Sequence, residues 1–359
     1  MKYKLILLAA LLSTGATAQT KPELVSAYQA DMVWNGVTKT DGGRVFVCFP
    51  RIEGDAGIRI GELKKDGGII AYPNISWNNW KTGDKTTDKI VRANSLRIGP
   101  DGNLWIVDTG APKMGDQALP GGSKLVVVNV VTNKVVRTIP LDEIIKPNSF
   151  IDDLRIYGDH IYLTDAGEPA LVILDKRSGK GRRVLENDKS TVDVAPLLAE
   201  GQVMRTQDGK DVHIHADQLE VSPDGKYLYF QPVSGPLSRI ETKYLLDQRI
   251  GGEQMAAHIT EWAKTPTTGG TAIDAAGNIY LSDVDHSQIL KIDTKGEITT
   301  VIKDSKLIWS DALWIDKEGY LWMPSGQLNR LAAFQNGISA VKFPVHIYKL
   351  KINAKPFKS

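Results

Sequence analysis

Short apolar runs alternate with polar turns along almost the whole chain, and one phrase keeps returning. It consists of an apolar strand, a turn built on Asp and Gly, and an aromatic-rich strand. Asn94-Ser95-Leu96-Arg97-Ile98 turns through Gly99-Pro100-Asp101-Gly102-Asn103 into Leu104-Trp105-Ile106-Val107-Asp108. The same phrase starts at Asp152, Asp217, Gly269 and Asp311, with a weaker copy at Asn35. These starts lie roughly 40 to 65 residues apart, the period of propeller blades rather than of helical repeats. Gly supplies the positive φ of a tight hairpin and Asp or Asn holds the turn through its own side chain. Further apolar strands follow most copies, at 124–128, 171–174, 288–292 and 346–350. The expected architecture is therefore all-β, a six-bladed β-propeller with four-stranded blades. An open ring would leave an unpaired sheet edge, so residues 23–34 are expected to supply the outer strand of the last blade. Two stretches, 109–122 and 186–215, exceed the blade pattern. Insertions of this length serve either as functional lids or as surface decoration.

The N-terminus changes the expected compartment. Lys2 and Lys4 precede an apolar run over 5–12, and Ala16-Thr17-Ala18 has the small-x-small form of a cleavage site. Residues 1–18 therefore read as a secretory signal peptide cut before Gln19, leaving 19–359 as one propeller domain in the periplasm or outside the cell. The apolar run is too short to span a bilayer, so no membrane association is expected after cleavage. Lys and Arg number 44 against 42 Asp and Glu, with no basic tract, which argues against a nucleic-acid partner. Cys48 is the only cysteine, so no intramolecular disulfide can form, and its mid-strand position suits a buried filler. A monomer that handles a small molecule is the expectation.

Several phrases resemble the yellow/major royal jelly protein family. They are Phe46-Val47-Cys48-Phe49-Pro50-Arg51, Ser95 to Ile98 running on to Asp108-Thr109-Gly110, Lys124 to Asn129, Leu228 to Ser234, and Ser310-Asp311-Ala312-Leu313. The resemblance implies a secreted six-bladed propeller, with roles ranging from dopachrome conversion to binding of biogenic amines in the axial cavity. Animal members carry disulfides that this chain cannot form, which suggests a bacterial relative. More distantly, 94–102 and 217–225 resemble the regucalcin/gluconolactonase propellers. In those proteins the entry to several inner strands supplies oxygens to a divalent metal, usually calcium. The Glu that they carry in the first blade is replaced here by Asn35.

If each repeat start opens an innermost strand, Asn35, Asn94, Asp152, Asp217, Gly269 and Asp311 gather at one mouth of the channel. Five of the six carry oxygen donors of the kind hard cations prefer. Asn94, Asp152 and Asp217 are the candidate metal ligands, with calcium the candidate ion. Asp152, Asp217 and His215 are the candidate catalytic residues. Asn35, Asn94, Asp108, Asp165, Asp283 and Asp311 are the candidate ligand-binding residues, with Gln231 and Ser325 at equivalent strand ends. His213 and His215 alternate on a strand, placing both rings on one side for base or metal chemistry. His286 sits beside Asp283 and Asp285. Arg97, Arg155 and Glu220 share one offset in adjacent repeats and are expected to pair between blades. Trp77, Trp80 and Trp309 are candidates to stack on a planar ligand. The functional expectation is lactone hydrolysis or dopachrome-like isomerisation of a small ring compound. The alternative is a non-catalytic binder of small ligands in the same pocket.

Overall fold

The computed structural model describes residues 23–359; the signal sequence expected over 1–18 lies outside them. Six four-stranded antiparallel sheets follow one another around a common axis. Blade 1 opens with Gly36–Lys39, blade 2 with Ala93–Ile98, blade 3 with Ile151–Tyr157, blade 4 with Ala216–Val221, blade 5 with Thr268–Ile273 and blade 6 with Trp314–Ile315. The outer strand of blade 6 is Val25–Ala30, which pairs with Val345–Lys351. The ring is thus closed by joining the two ends of the chain, as the edge argument requires.

The recurrent Asp in the turns has a second task beside shaping the hairpin. Asp101 accepts from Trp105 Nε1 at 3.1 Å, Asp316 from Trp322 Nε1 at 2.8 Å, and Asp274 from the Tyr280 hydroxyl at 3.3 Å. Each turn carboxylate thereby takes up the polar end of an aromatic side chain whose ring is buried, so packing leaves no orphan donor there. The apolar faces of neighbouring blades pack directly on each other. Val107, Leu125, Leu154 and Leu163 join blades 2 and 3, and Tyr162, Leu171, Leu219 and Phe230 join blades 3 and 4. Cys48 is fully buried within the cluster that joins blades 1, 2 and 6.

The six blade junctions are also stitched near the axis. Asn35 Nδ2 donates to the Asn94 carbonyl at 2.7 Å, and Asn94 Nδ2 to the Asp152 carbonyl at 3.4 Å. Thr164 Oγ1 reaches the Asp217 carbonyl at 2.6 Å and Gln218 Nε2 the Thr268 carbonyl at 2.8 Å. Ser282 Oγ donates to the Ser310 carbonyl, and the Ala312 N–H to the Asn35 carbonyl at 3.0 Å.

The predicted pairing between blades is present for Arg155 and Glu220, whereas Arg97 forms no ion pair among the described residues. Arg155 is fully buried and holds Glu220 through two bonds, at 2.9 and 2.7 Å, and Asp153 at 2.7 Å. Thr271 adds a bond to Glu220 at 2.9 Å, and the Arg97 guanidinium lies 5.5 Å from the Trp314 ring centre. Burial works against the Arg155 cation, but Asp153 and Glu220 outweigh it and hold its pKa above the ordinary arginine value. This buried charged cluster forms a plug on the inner strands of neighbouring blades. Among the described residues no helix is long and apolar enough to cross a membrane.

Candidate active site at the channel mouth

All six repeat-start residues line one chamber: Asn35, Asn94, Asp152, Asp217, Gly269 and Asp311. Their convergence has a backbone cause that the sequence pattern does not reveal. The inner strands of blades 2 to 5 break register at this level, between Ala93 and Ser95, Ile151 and Leu154, Ala216 and Gln218, and Thr268 and Thr271. Such bulges re-aim side chains out of the regular alternation, and here they set Asn94, Asp152 and Asp217 around the axis. Blade 5 offers no side chain because none fits. A Cβ on Gly269 would lie 2.5 Å from the Ser310 carbonyl oxygen, and one on Gly270 the same distance from Asp311 backbone.

The chamber encloses about 50 Å³, room for a few waters or an ion but not for a ring compound. Above it lies a vestibule of about 650 Å³ that shares Ile52, Met114, Phe150, Ile214 and Phe334 with the chamber. Both long insertions build its walls, through Lys113 to Asp116 in one and Thr206 to Ile214 in the other. The second insertion is pinned across the mouth. Glu200 pairs with Arg330, the Leu198 N–H donates to Thr267 Oγ1 at 3.0 Å, and the Gly201 N–H to Asp285 Oδ1 at 2.6 Å.

Three carboxyl groups face the chamber with little to balance them. Burial drives the Asp152 pKa well above its ordinary value, reinforced by Asp311 and Asp153 and opposed by Arg92. Burial raises Asp217 likewise, with Asp152 and Asp311 adding to it. Asp311 is pushed up to about 8 by burial, against bonds from the Ala312 N–H and Trp309 Nε1. Asp217 and Asp311 keep some exposure, but to this narrow chamber rather than to bulk water, so the loss of hydration stands.

The sign of the linkage follows. Between the unfolded value near 4 and about 8, the folded protein binds a proton at Asp311 that the unfolded chain does not. That contribution to stability is complete below pH 4 and lost as pH rises through 8. In thermal melts, Asp311→Asn is expected to flatten this decline and to gain about 2 kcal/mol over the parent at pH 9. This is less than the 1.4 kcal/mol per pKa unit would give, because chamber water screens part of the charge.

The donor chemistry suits a hard cation. Asn35 Oδ1 is buried without a partner, its amide nitrogen being engaged in the stitch to blade 2, and the carboxylates are oxygen donors. Among the described residues no three Asp, Glu, His or Cys side chains are grouped to hold a metal, so an ion here would rest on two carboxylates with amide oxygens.

Other candidate residues lie elsewhere. Asp108 is fully buried, pairs with Lys124 at 2.7 Å and accepts the N–H groups of Val91, Arg92 and Gly110. Asp165 binds Arg183 at 2.7 Å together with Ser149 and the Phe150 N–H. Asp283 holds His286 and Gln288. None of the three lines the chamber or the vestibule; each anchors a loop at the end of its blade's second strand. Gln231 and Ser325 are equally buried in contacts with Thr265 and Ser310. Trp309 lines the chamber, whereas Trp77 and Trp80 do not.

The two histidines of the insertion divide differently from the sequence expectation. His213 lines the vestibule, while His215 stands behind it with 20 % of its side chain exposed. Asp193, which the sequence pattern gives no reason to select, bridges them. Its carboxylate bonds His213 Nδ1 at 2.8 Å and lies 2.7 Å from His215 Nδ1, which accepts from the Asp193 backbone N–H at 3.3 Å. Burial works upward on Asp193, yet the bonds from His215 and His213 hold its pKa below the ordinary carboxylate value. Held at Nδ1, the His213 ring leaves Nε2 for the vestibule.

The sequence profile of the family described as major royal jelly protein matches residues 92–356. The L-dopachrome tautomerase yellow-f of Drosophila melanogaster is 22% identical over 336 residues, spanning 84% of this chain and 76% of the fly protein. Among solved structures, a regucalcin from Agrobacterium tumefaciens, described as a calcium-binding protein, superposes with a TM-score of 0.56 at 14% identity, over 93% of this chain and 96% of its own. A gluconolactonase from Xanthomonas campestris gives 0.53 at 12% identity, over 92% and 89%. At these identities the two structures testify to the propeller fold alone.

Proposed function

Since the chain belongs to the major royal jelly protein family, we propose that it is an enzyme that isomerises a small ring compound, with the ring in the vestibule and a polar atom in the chamber. The observation that carries this reading is the set of buried carboxyl groups at the floor of a one-ended pocket with a His–Asp pair on its wall. Perturbed acids in the chamber, with a carboxylate-held imidazole on the wall of the adjoining vestibule, are groups suited to proton transfer. His213 Nε2 takes a proton from a ring carbon next to a carbonyl, and a protonated chamber carboxyl gives one to the carbonyl oxygen. One proton leaves and one arrives, so no oxidant or reductant is involved. The fly relative's activity, a tautomerisation, favours this chemistry over lactone hydrolysis, as does Asn35 at the position where lactonase-like propellers carry Glu.

The direct test is to follow consumption of L-dopachrome by its visible absorbance. Turnover is expected in the parent protein, and His213→Gln is expected to lower kcat by about 100-fold with little change in KM, while removing one limb of the pH profile. Binding of the compound without turnover would make the protein a ligand carrier instead.

A divalent cation, calcium by its preference for oxygen, would be held by Asn35, Asn94, Asp152 and Asp217 and would supply polarisation of the ligand oxygen. Its uptake competes with protons on the acids. Calorimetric titration is therefore expected to show tighter calcium binding at pH 8.5 than at pH 6, and none in Asp217→Ala. No uptake by the parent at either pH would leave proton transfer as the sole chemistry.

A further inference from the structure

Arg92 stands where blade 2 begins, lines the vestibule and is only 2 % exposed. Its Nε donates to the Ala111 carbonyl at 3.2 Å, and its guanidinium lies 5.0 Å from the Phe150 ring centre. Its Nη1 is buried with no hydrogen-bond partner among the described residues. Asp108, which touches its backbone N–H, is already paired with Lys124.

Two other buried arginines are satisfied. Arg59 gives its donors to the carbonyls of Gly57, Asn78, Trp80 and Val91, and Arg155 to Glu220 and Asp153. Arg97 also keeps an unpaired Nε, but it lies in the plug and lines neither cavity. Burial lowers the Arg92 pKa to about 10, so the group is still a cation at neutral pH. A buried guanidinium with a free donor is costly unless an anion completes it, and its planar fork matches a carboxylate.

We propose that Arg92 anchors a carboxylate of the ligand, so that the vestibule takes an anionic ring compound rather than a neutral lactone or a biogenic amine. This rests on the vestibule being the ligand site of the proposed isomerase. Phe150, beneath the guanidinium and shared with the chamber, offers the apolar surface for the attached ring. With the carboxylate on Arg92, the far side of the ring is left to face His213 and the acid floor.

The experiment compares indole-2-carboxylate with its methyl ester, which keeps the shape and loses the charge, by calorimetry on the whole protein. The parent is expected to bind the acid at least tenfold more tightly. Arg92→Gln is expected to abolish that preference, and Lys113→Gln, which removes the other cation lining the vestibule, to retain it. Equal binding of the two probes, binding of neither, survival of the preference in Arg92→Gln, or its loss in Lys113→Gln overturns the assignment. Turnover by the parent and by Asp217→Asn is measured separately, so a failure of the anchor is distinguishable from a failure of the isomerase reading.

Discussion

Asp217→Asn is expected to reduce turnover by at least about 100-fold while leaving the melting temperature unchanged or higher. The two halves of this expectation have different causes. The Asp217 side chain accepts from Gln218 Nε2 at 2.7 Å, a bond that an amide oxygen can keep. The stitch between blades 3 and 4 uses its backbone carbonyl and is untouched by the substitution. Burial and the neighbouring acids raise the Asp217 pKa well above the ordinary carboxylate range, which suits the group to the proposed role of proton donor. An amide of the same shape cannot give up a proton on the reaction timescale. Replacing an acid whose ionisation is disfavoured by burial also removes a source of strain at alkaline pH. Steady-state rates with L-dopachrome and thermal melts on the same preparation check both halves. A collapse of the fold would show Asp217 to be structural, and unchanged turnover would remove it from the chemistry.

Glu220→Ala is expected to destabilise the protein by about 3–5 kcal/mol, the largest stability effect of any single change proposed for this molecule. Glu220 takes two bonds from Arg155 and one from Thr271, all in the buried plug. Removing it leaves a fully buried guanidinium with Asp153 as its remaining carboxylate partner. In an Asp153→Asn background, which removes the other carboxylate on Arg155, replacing both partners at once, as Arg155→Met with Glu220→Leu, is expected to cost much less, since no uncompensated charge is left behind. Urea titrations of the two singles and the double in that background close the thermodynamic cycle. A double variant as unstable as the sum of the singles would show that the network acts through shape rather than through charge.

The blades were legible in the sequence because their signal is local and repeated. A turn such as Asp101-Gly102 announces its own geometry, and the buried aromatic that follows it, as at Trp105, is part of the same short phrase. The ring of six repeat-start residues was legible for the same reason: periodic positions in a closed ring must meet on the axis. Loop anchoring was not. Asp108 and Asp165 close their strands much as Asp152 opens its own, and only three-dimensional placement shows that they serve Lys124 and Arg183 instead. Asp193 lies 20 residues before His213 in an insertion without periodicity, so nothing in the pattern links them. Arg92 is equally silent as sequence. A lone arginine two residues before a ring position gains meaning only when its Nη1 is seen to be buried without a hydrogen-bond partner.

The pairing of Val25 with Lys349 sets a timetable for biogenesis. At translation rates of 5–20 residues per second, the earliest strand waits roughly 16 to 65 s before its partner has been synthesised. Blades 1 to 5 can gather their own strands in order, but the sixth cannot exist until the chain is nearly finished. Throughout that interval both ends of the nascent array carry free backbone donors and acceptors, the kind of edge on which chains cross-pair with one another. Protection during those seconds has to come from outside the fold, from a chaperone or from the pace of synthesis, because the finished ring protects itself only once it is complete.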